Sequence, residues 1–536
     1  MAKILFTVAV ILFSVFQNPA IAQISGTLDP TVLPFDRPSR TALAASSHKV
    51  LAHWHSFPFR YYTTDGYVGL LSPTGSQFSY SGGYLRGRPL PFAPPATAAT
   101  QSNGDIRDDM TTDITFAAEI GIDAFLMNIW YGPSGSAESW RWTYQLQPIF
   151  DAAEQYTATN ASKQLPGFSI VPSIDALILS GNLNNPTACG SLSVADPNSP
   201  ETFADNVYAL KTSYPLSFMQ LNNKYVVDIF APERLPLCWY QRFLTRLSQN
   251  SMTNVYLMGI FLDPTTRQNY VTIFNAFGRW DIPHHYTALG PETADQNWAH
   301  SNNMNFVSDV SFSADVPHSQ VTIETGGFQT LIRTWARTIN DQLNSPADLT
   351  HIITWNDHSE GTNLRPNTTS QYAYYDIAAY YIASYKMGAA PPITRDVLYY
   401  SHRMHLSTAT RDLGKQPNPT QSLDNYPFDD TVYLTGFLKA RSTMSIVSGG
   451  TTYSSVFDPG VQTMSAHLFP NDQPRFSLTV NGINTIDFLS AFHTRPNPVS
   501  PPPAFDVTWQ DFLYRAEGSN RPAVTGVQNN LPQDRQ

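Results

Sequence analysis

The sequence predicts an α/β protein in which a (β/α)8 barrel of the TIM type is followed by a C-terminal β-sandwich domain. Three observations support this fold class. Short apolar strands alternate with helical patterns from Lys49 onward. Several of these strands are continuously apolar, which is typical of a parallel sheet covered on both faces. Beyond the run Gly388-Ala-Ala-Pro-Pro392, strand patterns occur without helical ones.

The barrel elements are expected within residues 48–390. Apolar runs predict strands at 50–54, 122–129, 167–171, 224–230, 255–261 and 351–355, and helices at 105–120, 142–155 and 371–386. Gly121 stands where a glycine would end the first of these helices. Repeated strand–helix units without a Gly-x-Gly-x-x-Gly turn or a phosphate loop favour a barrel over a doubly wound sheet.

The C-terminal part is expected to be all-β. Strand patterns occur at 397–404, 431–438, 443–447, 464–468 and 475–480. Asn481-Gly482 follows the last of these strands and is typical of a two-residue hairpin turn. A β-sandwich over 395–515 fits this pattern, with 516–536 as a polar tail.

The first residues are typical of an export signal. Lys3 precedes an apolar stretch at 4–16, and Ala20-Ile-Ala22 is a small-x-small cleavage site, so 1–22 is predicted to be a signal peptide. The apolar stretch is shorter than the roughly 20 residues that cross a bilayer, although an uncleaved anchor is the alternative. Residues 23–47, rich in Pro, Ser and Thr, form an N-terminal arm. We therefore expect a secreted protein, or a periplasmic one in a Gram-negative host.

Composition limits the partners and cofactors. With a net charge of −10 and no basic run, the chain is not expected to bind nucleic acid, which is held by Lys and Arg contacts to phosphate. Neither stable membrane insertion nor a metal or cofactor is expected, since no metal-ligand spacing appears, and there is no Gly-x-Ser-x-Gly elbow. Cys189 and Cys238 can form one disulfide in an exported protein. Asn160 and Asn367 begin glycosylation sequons that matter only in a eukaryotic host. We expect a monomer.

Carboxylates and aromatic side chains recur where the predicted barrel strands end. These strand ends are the positions at which a barrel carries its active site. They are His53-Trp54-His55, Asn128 to Tyr131, Pro172 to Asp175, Asp263, Trp280-Asp281 after a predicted Gly-Arg turn, and Trp355 to Glu360. Aromatic rings offer flat surfaces to sugars, and carboxylates carry out glycosidic chemistry. The pattern therefore indicates a polysaccharide as the substrate.

The segment 355–366 is the most informative. Asp357 and Glu360 stand three residues apart after a buried strand, so a turn can aim both carboxylates into one cleft. Gly361 allows the backbone to bend sharply after them. The alternative interpretation is a helix cap at Asp357 with Glu360 completing a capping box. Asp175 has a similar alternative, because aspartate often caps a helix.

Four segments resemble glycoside hydrolase family 71, the fungal α-1,3-glucanases or mutanases. Thr354-Trp-Asn-Asp-His-Ser-Glu360 is similar to that family's Thr-Trp-Asn-Asp-Tyr-Gly-Glu signature. Ala52-His53, Gly121 to Asn128 and Phe168 to Asp175 also resemble segments of the family. His358-Ser359 and Gly361-Thr362 depart from its pattern. The series Asn-acid-x-x-Glu-Gly-Thr is similar to the signature of family 99, the endo-α-mannosidases and mannanases.

The resemblance implies an inverting hydrolase in which Asp357 and Glu360 are the acid/base pair and Asp175 is a further essential carboxylate. Such a pair works across roughly 6.5–9.5 Å. We expect Glu360 to be the acid and Asp357 the base, with the reverse assignment open; Asp175 is either the base or a stabiliser of the developing positive charge. The candidate sugar contacts are His53, Asn128, Trp130, Trp355, Asn356, His358 and Asp281.

The substrate follows less directly from the sequence than the reaction class does. An endo-α-1,3-glucanase-like activity is expected first. An endo-α-mannosidase, mannanase or other α-glycan hydrolase is the alternative. Two further classes stay open: a non-catalytic carbohydrate-binding protein on the same scaffold, and a structural or adhesion protein whose aromatic residues only pack.

Overall fold

The computed structural model describes the chain from residue 33 to residue 519 with gaps. The described residues are 33–55, 90, 103–129, 146–182, 192–194, 196–283, 292–316, 321–339, 345–358, 360–367, 370–410, 421–422, 428, 430–494 and 515–519. The predicted signal peptide, Trp130 and Cys189 lie outside these residues.

Eight parallel strands form a closed barrel. They are β1 (Lys49–Trp54), β2 (Ala124–Ile129), β3 (Ser169–Asp175), β4 (Lys224–Phe230), β5 (Val255–Phe261), β6 (Ala276–Arg279), β7 (Asn305–Ser311) and β8 (Leu349–Ile353). Each strand pairs in parallel with the next along the chain, and β8 pairs with β1. The predicted barrel is therefore confirmed.

Helices and short strands connect the barrel strands. The helices are α1 (Arg40–Ala45), α2 (Asn103–Glu119), α3 (Gln147–Ala161), α4 (Ala176–Asn182), α5 (Pro200–Ser213), α6 (Leu237–Gln249), α7 (Thr293–Ser301), α8 (Gln329–Ile339) and α9 (Ala373–Met387). Two 3-10 helices span Pro232–Arg234 and Pro264–Tyr270, and short strands span Gln220–Leu221, Ala314–Val316, Val321–Ile323 and Gln421–Ser422. Gly121, with φ of 93°, ends the segment after α2 as predicted. Among the residues described, no helix is long and apolar enough to cross a membrane.

The alternation of side chains along each strand divides the barrel residues between two apolar clusters. Leu51, Val171, Val226 and Met258 belong to the cluster that fills the barrel interior. Their neighbours along the strands, such as Val227, belong to a larger cluster shared with the surrounding helices. Successive strand residues point to opposite faces, and both faces pack against apolar clusters. The sequences of these strands are therefore continuously apolar.

The C-terminal residues form two antiparallel sheets of four strands. Their strands are β9 (Val397–Arg403), β10 (Thr431–Leu438), β11 (Ser442–Ser448), β12 (Thr451–Phe457), β13 (Gly460–His467), β14 (Arg475–Val480), β15 (Ile483–Leu489) and β16 (Arg515–Ser519). The orders are β13-β10-β9-β16 and β12-β11-β14-β15. Leu398 and Leu434 of one sheet share a buried cluster with Met444 and Phe476 of the other. The sandwich arrangement of the two sheets stays a prediction.

The hairpin between β14 and β15 is confirmed. Val480 pairs with Ile483 across a two-residue turn. Asn481 and Gly482 both have positive φ, 51° and 79°, as a type I′ turn requires.

The first of the two sheets, β13-β10-β9-β16, packs directly against the barrel's last helix. The Tyr399 hydroxyl of β9 donates to Asp376 Oδ2 of α9 at 2.8 Å, and the rings of Tyr380 and Phe437 lie 5.2 Å apart. Arg403 of β9 forms a buried ion pair with Glu324, which follows the strand at 321–323. The C-terminal sheets are thus joined to the barrel by apolar and ionic contacts.

Several details differ from the sequence predictions. Gly278-Arg279 is not a turn but the end of β6: a Cβ at Gly278 would lie 2.7 Å from Ile260 Cδ1, so the glycine permits close strand packing. Strand β8 ends at Ile353 rather than Trp355. Part of the predicted arm is the helix α1. The strand β16 extends the sheet past residue 515, where a polar tail was predicted.

Cys238 is disulfide-bonded. Cys189 is the only other cysteine in the sequence.

Candidate active site

The segment after β8 folds back on itself as a loop. The Thr354 N–H donates to Thr362 O at 2.8 Å, and the Arg365 N–H donates to Trp355 O at 2.8 Å. The next helix, α9, begins only at Ala373, so the interpretation of Asp357 and Glu360 as a capping box is wrong. The two residues lie instead on a turn at the carboxyl end of the barrel, where barrel enzymes carry their active sites. We call residues 354–365 the acid loop.

Inside the acid loop, one turn holds both carboxylates. The Glu360 N–H donates to Asp357 Oδ1 at 3.1 Å. Burial, and second the charge of Asp357, raise the pKa of Glu360 to about 7. Asp357 is buried, and its Oδ2 lies 3.8 Å from His55 Nε2. The Glu360 carboxyl is therefore partly protonated at neutral pH, beside a second buried carboxyl.

Asp175 is the last residue of β3 and is also buried. Burial raises its pKa to about 6, against the opposing effect of hydrogen bonds from the backbone of Ile178 and Leu177. Its Oδ1 accepts the Ile178 N–H of α4 at 3.0 Å. Asp175 therefore caps a helix, as the alternative interpretation holds, while its perturbed pKa also makes it a candidate for chemistry.

His53 lies among aromatic rings inside the barrel. Its ring centroid is 5.1 Å from that of Trp280, 5.9 Å from Phe230 and 5.6 Å from His351. Burial, followed by the charges of His351 and His55, holds the pKa of His53 well below its usual value. Burial likewise lowers the pKa of His351 to about 3. Both imidazoles are neutral at physiological pH, and each offers one donor and one acceptor.

A polar row crosses three strands next to this aromatic group. In the strand register, Asn128 pairs with Ser173, and Ser173 pairs with Asp228. Ser173 Oγ donates to Asp228 Oδ2 at 2.6 Å. Burial raises the pKa of Asp228 to about 7, so this carboxyl is partly protonated at neutral pH. Among the described residues, Asp228 Oδ1 and both ring nitrogens of His351 have no hydrogen-bond partner.

Some predicted sugar contacts have other roles. Trp355 is fully buried in the core, where its ring lies 5.5 Å from that of Phe125, so it offers no stacking surface, contrary to prediction. Asn356 is fully buried too: its Oδ1 accepts the His55 N–H at 2.6 Å, and its Nδ2 donates to His55 O at 3.2 Å. Asn356 therefore ties the acid loop to the end of β1.

The other predicted contacts lie around the same end of the barrel. His358 is buried, and burial followed by the nearby charge of Arg365 lowers its pKa to about 3. Asp281 follows β6 by two residues and interacts electrostatically with Asp309 and Arg337. Trp130 lies outside the described residues.

Four residues of this region were not singled out from the sequence. His55 and Trp280 stand at predicted strand ends, where only their neighbours His53 and Asp281 were predicted to contact the sugar. Phe230 and Asp228 could have been found from the alternation of side chains along β4. Val226 and Phe230 belong to the interior side of this strand, so Asp228 between them faces inward too.

No group of three or more His, Cys, Asp or Glu side chains within the described ranges is arranged to hold a metal ion.

The fold is a closed parallel barrel with two carboxylates on the acid loop, and part of the chain matches a family of glycoside hydrolases. Residues 292–493 match the model of Glycosyl hydrolase family 71, which confirms the resemblance to that family. This range contains the acid loop and most of the C-terminal strands.

Two similar proteins are glycosidases by name. The chain is 24% identical over 159 residues to the glucan endo-1,3-alpha-glucosidase agn1 of Schizosaccharomyces pombe. That alignment covers 27% of this chain and 36% of the relative, so the chain matches about a third of its length. A solved family 99 endo-alpha-mannosidase from Bacteroides thetaiotaomicron is 14% identical, with a TM-score of 0.44, over 64% of this chain and 98% of that one.

Proposed function

We propose that this protein is a glycoside hydrolase that cleaves α-glycosidic bonds of a polysaccharide by an inverting acid/base mechanism. The observation that carries the proposal is the Glu360 carboxyl, whose pKa is raised to about 7 beside Asp357 at the carboxyl end of the barrel. An inverting hydrolase needs one protonated and one ionised carboxyl on opposite sides of the scissile bond. Two carboxyls in different environments supply this pair.

Glu360 is proposed as the general acid. Because its carboxyl keeps a proton near neutral pH, it can protonate the glycosidic oxygen as the bond to the anomeric carbon breaks. Asp357 is proposed as the base, which orients a water and takes its proton as the water attacks the opposite face of the ring. The His55 imidazole lies beside this base candidate, with its Nε2 3.8 Å from Asp357 Oδ2.

Asp175 and the aromatic group around His53 are proposed to bind the sugar. A carboxylate at the end of β3 can stabilise the positive charge that develops on the ring in the transition state. Trp280 and Phe230 lie beside His53 and offer apolar ring surface, while neutral His53 can exchange hydrogen bonds with sugar hydroxyls. Asn128, on the neighbouring strand, is a further candidate for a hydroxyl contact.

An α-1,3-glucan is the first substrate we propose, in agreement with the family 71 match and the relative from Schizosaccharomyces pombe. An α-mannan is the second candidate, because Asn356-Asp-His-Ser-Glu-Gly-Thr362 has the series Asn-acid-x-x-Glu-Gly-Thr. We also propose that the protein acts outside the cell, following the export signal predicted at 1–22.

The test is hydrolysis of α-1,3-glucan, α-1,4-glucan and α-mannan by the purified protein, with NMR of the first anomer released. We expect reducing ends from α-1,3-glucan and a β-anomer as the first product. Release of the α-anomer would exclude inversion. Binding without any release of reducing ends would instead support a non-catalytic carbohydrate-binding protein.

A further inference from the structure

Asp113 lies on α2, far from the acid loop in sequence, and its side chain is completely buried. Its Oδ2 accepts the Trp54 indole N–H at 3.2 Å, and its Oδ1 lies 2.7 Å from Arg365 Nη1. Burial raises the pKa of Asp113, while the charge of Arg365 and the hydrogen bond from the Trp54 indole oppose this effect. A single carboxylate thus meets two side chains from two segments.

Each of these partners adjoins a group of the candidate site. Trp54 ends β1 and immediately precedes His55, whose Nε2 is 3.8 Å from Asp357 Oδ2. Arg365 closes the acid loop, because its backbone N–H donates to Trp355 O at 2.8 Å.

Neutralising Arg365 does not by itself explain all the contacts of Asp113. Arg365 is 4% exposed at its side chain, and a buried cation requires a paired anion. The Trp54 indole, however, is neutral and donates to the same carboxylate in addition. Asp113 therefore fixes the end of β1 and the C-terminal end of the acid loop relative to the same helix.

We propose that Asp113 is a positioning residue that, through Trp54 and Arg365, sets the distance between His55, Asp357 and Glu360. Asp113 touches no substrate in this role. The inference rests on the proposed hydrolase function, and it concerns how the acid/base pair is held, not which glycan is cleaved.

The test compares Asp113→Asn with Asp123→Asn. Asp123 is a matched control because its Oδ2 pairs with Lys386 Nζ at 2.6 Å, and Lys386 is a fully buried cation next to the start of β2, at the opposite end of the barrel. Both variants remove one charge from a buried pair. We expect kcat of Asp113→Asn to fall about tenfold to a hundredfold, as small misplacements of catalytic groups do, with KM changed much less. For Asp123→Asn we expect kcat close to that of the wild type.

A second readout does not depend on activity. Carbon-13 NMR titration should give a Glu360 midpoint near the pKa of about 7 in the wild type and in Asp123→Asn. In Asp113→Asn, a loosened loop admits water and separates the carboxyls, so the midpoint should move toward the ordinary value of 4.5. If the wild type cleaved no glycan, the proposed function would fail, while this titration would still test the role of Asp113.

Trp54→Phe serves if Asp113→Asn does not fold, since it removes the indole N–H while keeping an aromatic, though smaller, ring at this buried position. A lower kcat, with a Glu360 midpoint moved in the same direction, supports the proposal. Wild-type kcat and an unchanged midpoint in Trp54→Phe and in any folded Asp113→Asn would overturn it.

Discussion

Asp357 Oδ1 accepts the backbone N–H of Glu360 at 3.1 Å. The base candidate therefore fixes the backbone that carries the acid candidate, and any change at Asp357 acts on Glu360 through both geometry and charge.

Glu360→Gln should abolish most of the activity. The amide has nearly the shape of the carboxylic acid but cannot transfer a proton, and general acid catalysis contributes about 10²- to 10⁴-fold. The release of reducing ends from the best substrate measures the loss. Asp263→Asn is the matched control, because Asp263 is an exposed strand-end carboxylate bonded to Thr265. Equal activities of the two variants would remove Glu360 from the acid role.

The pH dependence should reflect the protonation of Glu360. Activity that needs the protonated acid is expected to fall as pH rises through the pKa of about 7. Because the charge of Asp357 contributes to raising this pKa, Asp357→Asn should move the Glu360 midpoint downward. Carbon-13 NMR titration of the carboxyls checks the direction. An upward shift in Asp357→Asn would mean that burial, and not the neighbouring charge, had changed.

Asp228 should make the protein less stable at alkaline pH. Burial raises its pKa from 3.8 to about 7, so the folded state holds this proton more tightly than the unfolded state. The stabilisation is complete below pH 3.8 and is lost as pH rises through about 7. Each pKa unit corresponds to about 1.4 kcal/mol. Asp228→Asn should therefore flatten the fall of Tm between pH 3.8 and about 7, whereas Asp263→Asn should leave its slope unchanged.

Both glycosylation sequons should stay unmodified in the folded protein made in a eukaryotic host. The Asn160 Nδ2 donates to Pro166 O at 3.1 Å, and the Asn367 Nδ2 donates to Ser370 Oγ at 2.8 Å. Both side chains are buried, and a glycan needs the same nitrogen and open space. Mass spectrometry of the native protein tests this expectation. A glycan at either asparagine, in a protein with the wild-type Tm, would contradict it.

The barrel was predictable from sequence because its strands are short and continuously apolar. The strands β4, β5 and β10 have the predicted bounds, and the Asn481-Gly482 hairpin follows from a local turn preference. Gly278 shows where local sequence patterns fail to predict the structure. The sequence Gly-Arg is typical of a turn, but this glycine lies in β6, where Ile260 of the adjacent strand β5 leaves little room for a side chain.

The positions of Asp357, Glu360 and Asp175 at the carboxyl ends of barrel strands were predictable from the order of strands and carboxylates, and their catalytic roles stay a prediction. Trp355 was misjudged because the sequence does not say whether an aromatic residue at a strand end faces the cleft or the helices. The contacts of Asp113 could not be foreseen, since only the fold brings Trp54 and Arg365 to this residue.

Helix α9 is shared by two halves of the molecule. Its Tyr374 packs on Phe328, its Tyr380 on Phe437, and its Asp376 receives the Tyr399 hydroxyl. During evolution, a substitution on the barrel side of this helix therefore requires a compensating substitution on the side that contacts the C-terminal sheet. We expect α9, β9 and β10 to co-vary among related sequences, and we expect exchange of the C-terminal sheets between relatives to succeed only when α9 is transferred with them.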